Sequence, residues 1–300
     1  MSGLRSLAPA RAVGLLAVGV GLLLGATRLP APVDLARQAG PGVLTTPHAD
    51  PVVQTRSVCP GPESTGVEGL PGSAGQSVSV AAVAAPEESL PSGLVPAPGD
   101  GSLALSGLPS GGTWGRPVTE RGQVTSGRLA TAGSALVSGL GSLAPGAVAT
   151  QWSWTATGNS RGLVTSACIV PAASAWLIGG GPAPGRLEHL ALANPGPNPV
   201  TVDVSVLGTK GRVESPNGQD LIVPGHSRTV ILLDAIAPSE PSPVVQVAVR
   251  GGKVAAVLND SWLEGLVPRG GDDAVPQAAP AREQVIAGVP IAGAADRRAR

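Results

Sequence analysis

Residues 200–206 read VTVDVSV, with valine at every second position and Thr, Asp and Ser between the valines. Successive side chains of a β-strand point to opposite faces, so this alternation predicts a strand with one buried and one exposed face. Residues 245–249 (VQVAV) repeat the pattern, and Gly251-Gly252 after them predicts a two-residue hairpin turn into the next strand. At least six strand-like segments follow one another between residues 161 and 265, at roughly 8–12-residue spacing. The sequence therefore predicts an all-β protein with an antiparallel, immunoglobulin-like β-sandwich over residues 161–265.

The composition distinguishes this denser part of the chain from a looser one. The chain has 300 residues, with Gly 43 and Pro 31 and with neither Phe nor Tyr. Leu, Ile and Val make up about 30% of residues 161–265 but only about 20% of residues 52–160. Less apolar area is available for burial in the earlier segment, so we expect residues 52–160 to form an irregular, Gly/Pro-rich β region.

The N-terminus carries an export-type segment. Residues 12–27 are sixteen residues without a charge, preceded by Arg5 and Arg11 and followed by Arg28. A positive stretch followed by an apolar one is typical of a signal for export. The small-residue cleavage pattern is missing, so residues 1–28 are expected to be an uncleaved transmembrane anchor, with a cleaved signal peptide or a buried helix as alternatives. Either leading alternative places the rest of the chain outside the cytoplasm, as a single-pass membrane protein or a secreted one.

Two further segments have the composition of linkers. Residues 29–51 are proline-containing without apolar periodicity, which predicts a flexible stalk between membrane and folded region. Residues 266–300 begin with a polar loop and a Pro/Ala-rich stretch, and residues 285–291 could form one more strand.

Cys59 and Cys168 are the only cysteines. An even pair in an exported protein predicts a disulfide, which would close a loop of about 110 residues. Two buried free thiols are the alternative. The cysteines do not form a CxxC pair, and the three histidines (His48, His189 and His226) are far apart, so no metal site is predicted.

Enzyme signatures are weak, and no catalytic residue is predicted. His226 has Ser227 beside it and Asp234 eight residues later, but the chain has no GxSxG motif. Asp272-Asp273 supplies too few ligands for a calcium loop. A glycosidase needs two carboxyls across a cleft, and none of the candidates lies beside an aromatic-rich motif. These candidates are Glu87, Glu88, Glu188, Asp260, Glu264, Asp272 and Asp273.

Tryptophans are the only aromatic residues on which a binding site could be built. Trp152 and Trp154 alternate with polar residues, so both indoles point to one face of a strand. A buried pair is the favoured interpretation, and a sugar-stacking platform is the alternative. We expect Trp154 and Trp176 in the core, and Trp114, in a glycine-rich loop, exposed. Trp114 and Trp152 are therefore the candidate binding residues. The five tryptophans are Trp114, Trp152, Trp154, Trp176 and Trp262.

Five segments of the chain together resemble the actinobacterial family of exported or membrane-anchored proteins known as domain of unknown function 5719. They are the Cys-Pro-Gly entry at 59–61 and residues 161–181, 187–213, 221–238 and 247–258. The resemblance covers roughly residues 52–290. It implies an exported β-sandwich protein of the cell envelope with no assigned activity. Members often continue into further β-structure, so the resemblance implies a C-terminus that is truncated or unusually short.

The expected function is that of a non-enzymatic envelope protein that binds another protein or wall glycan, or acts as a scaffold. An accessory subunit of an envelope glycosyltransferase or secretion system is the alternative, and an enzyme with an unrecognised site is a third. The expected partners are the membrane, through the N-terminal helix, and an envelope protein or wall glycan; no cofactor is expected. A formal net charge of +0 excludes the basic surface that is typical of nucleic-acid-binding proteins.

Overall fold

The computed structural model describes residues 51–62, 78–95, 99–109, 112–129, 133–156 and 161–285. The predicted anchor (1–28), nearly all of the predicted stalk (29–51) and most of the predicted last strand (285–291) lie outside these residues. Among the described residues, no helix is long and apolar enough to cross a membrane.

Seventeen strands and three single-turn 3₁₀ helices make up the described part of the chain. The strands are β1 (Gln54–Cys59), β2 (Val78–Ala84), β3 (Gly101–Leu108), β4 (Thr113–Val118), β5 (Val124–Leu129), β6 (Ser134–Gly141), β7 (Ala147–Thr155), β8 (Gly162–Ala167), β9 (Ser174–Ile178), β10 (Arg186–Asn194), β11 (Val200–Gly208), β12 (Gly211–Val213), β13 (Leu221–Val223), β14 (Ser227–Leu232), β15 (Val244–Arg250), β16 (Ala255–Glu264) and β17 (Val267–Ala274). The 3₁₀ helices are Glu87–Ser89, Pro216–Gly218 and Leu233–Ala235.

These strands form four small antiparallel sheets, arranged like the blades of a four-bladed propeller. Sheet I has the spatial order β1-β6-β3-β4, and sheet II has the order β5-β2-β7-β8. Sheet III has the order β12-β11-β15-β9, with β13 also paired to β11, and sheet IV has the order β14-β10-β16-β17. The all-β prediction is therefore confirmed, whereas the predicted immunoglobulin-like sandwich is wrong.

Strand pairing around Gly251-Gly252 illustrates the error. The predicted hairpin would pair β15 with β16. Instead β15 pairs with β11 and β9 in sheet III, and β16 pairs with β10 and β17 in sheet IV. Alternation of apolar residues identifies which face of each strand is buried, but it does not say which strand lies beside it. The turn therefore connects two sheets instead of two neighbouring strands.

Two large apolar cores account for most of the buried side chains. The first lies between sheets I and II, where alternate residues of β2 and β3, such as Val80 and Leu105, are 0% exposed. The second lies between sheets III and IV. It contains the four valines of VTVDVSV, which are at most 4% exposed and thus confirm the predicted half-buried strand. These are Val200, Val202, Val204 and Val206.

A disulfide ties sheet I to sheet II, and two further connections tie the two pairs of sheets together. Cys59, at the end of β1, forms a disulfide with Cys168, just after β8, which confirms the predicted pairing. A small apolar cluster of Val58, Leu108, Ala193 and Ala255 brings sheet I against sheet IV. The edge strands β8 and β17 lie next to each other, so sheet II also meets sheet IV.

Strand β17 lies where the sequence predicted a polar loop inside a linker. Its sequence, VPRGGDDA, has no alternation of apolar residues, and two glycines interrupt it. It nevertheless pairs with β16 from Leu258 to Glu264. Strand β17 is held by its backbone pairing with β16 and by hydrogen bonds to the carboxylate of Asp273. It has no apolar face, which is the feature that a sequence pattern would detect.

Candidate functional site

The outer face of sheet II carries two exposed tryptophans. In β7 the alternate residues Gln151 and Ser153 are only 3% and 8% exposed, so they point inward. Trp152 and Trp154 point outward and are 36% and 68% exposed. Their position on one face of a strand is confirmed, but the expectation that Trp154 lies in the core is wrong. The core here is filled by small and aliphatic residues of sheets I and II.

Neighbouring strands surround the indoles with apolar and hydroxyl side chains. Ser79 of β2 and Thr165 of β8 lie directly opposite Trp152, and Leu163 of β8 lies opposite Trp154. Residues opposite each other in antiparallel strands share a face, so all five side chains belong to one surface. Leu163 is 58% exposed. We call this surface, formed by Ser79, Trp152, Trp154, Leu163 and Thr165, the tryptophan face.

The other tryptophans serve packing. Trp114 is half-buried against the first core, with its ring so close to Gly127 that a Cβ there would lie 2.0 Å from a ring carbon. The prediction that Trp114 is exposed is therefore wrong. Trp176 is half-buried on the outer face of sheet III, because its neighbours in β9 point into the core, so the expectation that Trp176 lies in the core is wrong. Trp262 is half-buried with the guanidinium of Arg269 5.9 Å from its ring centroid.

A layer of buried polar side chains lies where sheet IV meets sheet II. His189, Asn259 and Asp273 are directly opposite one another across β10, β16 and β17. Asn259 Nδ2 donates to Asp273 Oδ1, and Gln151 Nε2 of sheet II donates to Asp273 Oδ2 at 3.1 Å. Burial raises the pKa of Asp273, and these hydrogen bonds oppose that shift. We call His189, Asn259, Asp273, Gln151 and Arg228 the polar layer.

Arg228 of β14 extends this layer toward sheet I. Its Nη2 donates to the carbonyl of Pro62 at 2.6 Å, and its Nη1 lies 3.4 Å from the carbonyl of Gly133. Burial lowers the pKa of Arg228 to about 10, and the charge of Asp273 opposes that shift. The guanidinium therefore stays charged at neutral pH and connects sheet IV to two segments that flank sheet I.

Replacing His189 with leucine should make stability less dependent on pH between about 7 and 5. Burial, with a smaller contribution from Arg228, lowers the pKa of His189 below its usual 6.5. Below about pH 6.5 the unfolded chain therefore binds a proton that the folded chain does not, and the wild type loses up to ~1.4 kcal/mol of stability per pH unit. The leucine variant lacks this loss, which urea unfolding at several pH values will measure.

His226 provides the control for this measurement. It lies in an exposed turn with φ 49, a conformation that asparagine tolerates, so His226→Asn should keep the wild-type pH dependence. The groups that face His189 from β14 and β17, Arg228 and Asp273, are the same in both variants. Identical pH dependence of wild type and His189→Leu would contradict the prediction.

A row of carboxylates lies on the opposite face of the same strands. Glu188, Asp260 and Asp272 are directly opposite one another and line a cavity of about 260 Å³. Arg186 Nε donates to Asp260 Oδ1 at 2.8 Å, and Gly180 N–H donates to Glu188 Oε1 at 2.5 Å. Burial raises the pKa of Glu188. Its position beside an arginine-paired aspartate is typical of a structural ion-pair network.

The other candidates for catalytic groups lie at separate places in the structure. Glu87 and Glu88 lie in an exposed 3₁₀ helix, and Glu264 pairs with Arg269. Ser227, beside His226, donates its hydroxyl to the carbonyl of Pro224 at 3.0 Å. Within the described residues, no group of three or more His, Cys, Asp or Glu side chains could hold a metal ion.

Sequence reasoning singled out Trp152 but did not identify the polar layer as a unit. The available signal was a polar residue at an apolar position of a strand, such as His189 within LEHLALA and Asn259 after AAVL. Residues of the polar layer that contact each other are far apart in the sequence. Gln151 and Asp273, for example, are hydrogen-bonded across a separation of 122 positions. Local patterns carry no information about such pairs.

Comparison with known proteins identifies a family but no characterised relative. No curated protein and no solved structure matches the chain. Residues 121–298 match the sequence profile of the family of unknown function DUF5719. The match confirms the resemblance to this family and covers β5 to β17, including all five residues of the polar layer and both tryptophans of the tryptophan face. Because it spans more than half of the chain, the chain belongs to the family of unknown function DUF5719.

Proposed function

We propose that this protein is a non-enzymatic protein of the cell envelope that binds wall glycan on the tryptophan face. The observation that carries the proposal is the pair of exposed indoles on one strand, at 36% and 68% exposure. A sugar ring presents C–H groups on its flat faces and hydroxyls around its rim. The C–H faces of the sugar can stack on the indole rings, and the sugar hydroxyls can form hydrogen bonds with the hydroxyls of Ser79 and Thr165 beside Trp152.

The proposed location is outside the cytoplasm. The uncharged segment at residues 12–27, between arginines, supports export and membrane anchoring, with secretion as the alternative. The disulfide between Cys59 and Cys168 supports the same location, since disulfides persist in oxidising compartments. A wall glycan would be the polymer that such a protein meets there.

Replacing Trp154 with alanine should weaken binding to wall glycan about thirtyfold. Covering roughly a third of an indole, ~80 Å², contributes about 2 kcal/mol at ~25 cal/mol per Å². The measurement is co-sedimentation of the full-length, detergent-solubilised protein with insoluble cell-wall polysaccharide over a range of polysaccharide concentrations. Trp152→Ala should weaken binding less, because Trp152 is about half as exposed as Trp154.

Leu266→Ala is the matched control. Leu266 is 93% exposed, lies in the turn between β16 and β17 and does not belong to the tryptophan face. It should leave binding unchanged. If Trp154→Ala and Leu266→Ala sediment alike, the glycan proposal is wrong. If Trp154→Ala instead loses only an envelope protein that the wild type retains, the tryptophan face binds protein.

A further inference from the structure

Residues 169–172 link β8 to β9 and are hydrogen-bonded to other segments of the chain at both ends. We call this segment the strap. Ile169 and Val58 of β1 exchange two backbone hydrogen bonds of 2.8 and 2.9 Å. Ala172 and Val254 exchange two more, of 2.9 and 3.1 Å. The disulfide at Cys168 precedes the first contact directly. The strap therefore crosses from sheet I toward the start of β16 in a defined position.

Beside this strap, part of the outer edge of β1 has no backbone partner among the described residues. Val52 N–H donates to the carbonyl of Leu94 at 3.3 Å, and Val58 bonds to the strap, both on the edge away from β6. Backbone groups of alternate residues point to the same edge of an antiparallel strand, so Gln54 and Arg56 point there too. No described residue hydrogen-bonds the backbone of Gln54 or Arg56 on this edge.

Proline explains why the strap leaves this edge open. The antiparallel contact of Val58 with Ile169 places Pro171 opposite Arg56 in the continued register. Proline has no N–H to donate, so pairing along β1 cannot continue there. The strap turns instead to Val254, and β1 keeps two consecutive outward-facing positions for another strand.

A groove of about 420 Å³ lies along this edge. Its lining includes Gln54 and Arg56 of β1, the strap, the turn at residues 194–198 and Lys253. Among the described residues that line it, Arg56 and Lys253 are the charged ones, and both are exposed. Neither forms an ion pair with a described residue. The groove thus carries two positive charges that no acidic side chain among the described residues compensates.

Hydrogen bonds within the protein hold the walls of the groove. Asn194, 1% exposed, donates from Nδ2 to the carbonyl of Asn198 at 2.8 Å and accepts from Gly196 N–H at 2.9 Å. These bonds hold one wall in shape. On the other wall, the side-chain amide of Gln54 is oriented with its oxygen toward Arg56. This oxygen accepts hydrogen bonds from Arg56 Nε and Nη2, both at 3.1 Å. A preformed site loses little conformational entropy when it binds.

We propose that the edge of β1 at Gln54 and Arg56 accepts an extended peptide segment of a partner protein that carries an acidic side chain. The segment adds a strand to sheet I through the outward backbone groups, and its carboxylate meets Arg56 and Lys253. Strand addition supplies sequence-independent hydrogen bonds, and the two cations select acidic segments. This site lies on sheet I and does not depend on the tryptophan face.

Selection from a displayed library of random twelve-residue peptides, on full-length, detergent-solubilised protein, tests the proposal. Enriched peptides should contain an Asp or Glu and lack proline at the positions that flank it. Fluorescence polarisation then measures the Kd of the most enriched peptide. The Arg56→Gln/Lys253→Gln double variant should bind it at least about tenfold more weakly, the scale expected for losing hydrogen bonds to charged groups.

Gln54 offers a matched pair of variants that separates strand addition from charge. Gln54→Pro removes one outward N–H at the first residue of β1, where proline is tolerated, and should weaken binding about tenfold. Gln54→Ala loses the same side-chain contact with Arg56 but keeps that N–H, so it should bind about tenfold more tightly than Gln54→Pro. Thermal unfolding of both variants checks that each is folded.

Three results would overturn the proposal. The first is a selection without acidic peptides, or without any enriched peptide. The second is equal peptide affinity of Gln54→Pro and Gln54→Ala in folded protein. The third is self-association in sedimentation that Gln54→Pro abolishes while no peptide binds, which would assign the edge to a second copy of this chain.

Discussion

Removing the disulfide should lower the free energy of unfolding by about 4–5 kcal/mol. Cys59 and Cys168 are separated by 109 positions, and a cross-link that closes so long a loop strongly reduces the conformational entropy of the unfolded chain. The variant is Cys59→Ala/Cys168→Ala, which avoids placing hydroxyls at the fully buried Cys59 position. Urea unfolding of variant and wild type, both under oxidising conditions, measures the difference.

Reduced wild-type protein provides the control, because it keeps both side chains and lacks only the bond. It should lose nearly the same stability as the double variant, and reductant should leave the double variant unchanged. A loss below about 1 kcal/mol in both cases would show that the two segments are held together without the cross-link. The hydrogen bonds between Val58 and Ile169 are the contacts that would then have to hold them.

Replacing Arg228 with methionine should destabilise the protein by about 3–5 kcal/mol. The substitution keeps an unbranched apolar stem but removes the guanidinium that donates to the carbonyl of Pro62. It also removes the positive charge that faces the buried carboxylate of Asp273. The carbonyls of Pro62 and Gly133 lose their charged donor, and the favourable charge interaction with Asp273 is lost as well, which accounts for the size of the effect. Equilibrium unfolding in urea at pH 7 measures it.

Arg250→Met is the matched control, since Arg250 also contacts two acidic residues but at the surface. Its side chain is 58% exposed, and it lies 3.2 Å from Asp203 and 2.5 Å from Asp220. Exposed ion pairs contribute at most about 1 kcal/mol, so this variant should remain close to the wild type. Equal losses in the two variants would contradict a special role of the polar layer.

The alternating strands could be predicted because their signal is local. VTVDVSV identifies its own buried face, and the valines of β11 and β15 do pack in the second core. Strand β17 could not be predicted, because VPRGGDDA has no such face. It is held by its pairing to β16 and by Asp273, whose partners Asn259 and Gln151 come from other strands.

The tryptophans show the same limit. Alternation correctly placed Trp152 and Trp154 on one side of a strand, but it could not decide which side faces the core. That choice depends on Gln151 and Ser153, whose side chains turn inward, with Gln151 reaching Asp273 of sheet IV. The tryptophan face is thus exposed because polar residues occupy the buried face of β7.

The sequence by itself determined the all-β class, the disulfide pair, the period-2 strands and the family resemblance, since each rests on short-range patterns or on cysteine number. Only the tertiary structure decided that the strands form four sheets instead of a sandwich, and that Gly251-Gly252 connects two of them. Only the tertiary structure joined His189, Asp273 and Gln151 in one polar layer and left the edge of β1 open. The physical reason is that a strand encodes its buried face through its own side chains, whereas its neighbours depend on backbone hydrogen bonds available to any strand.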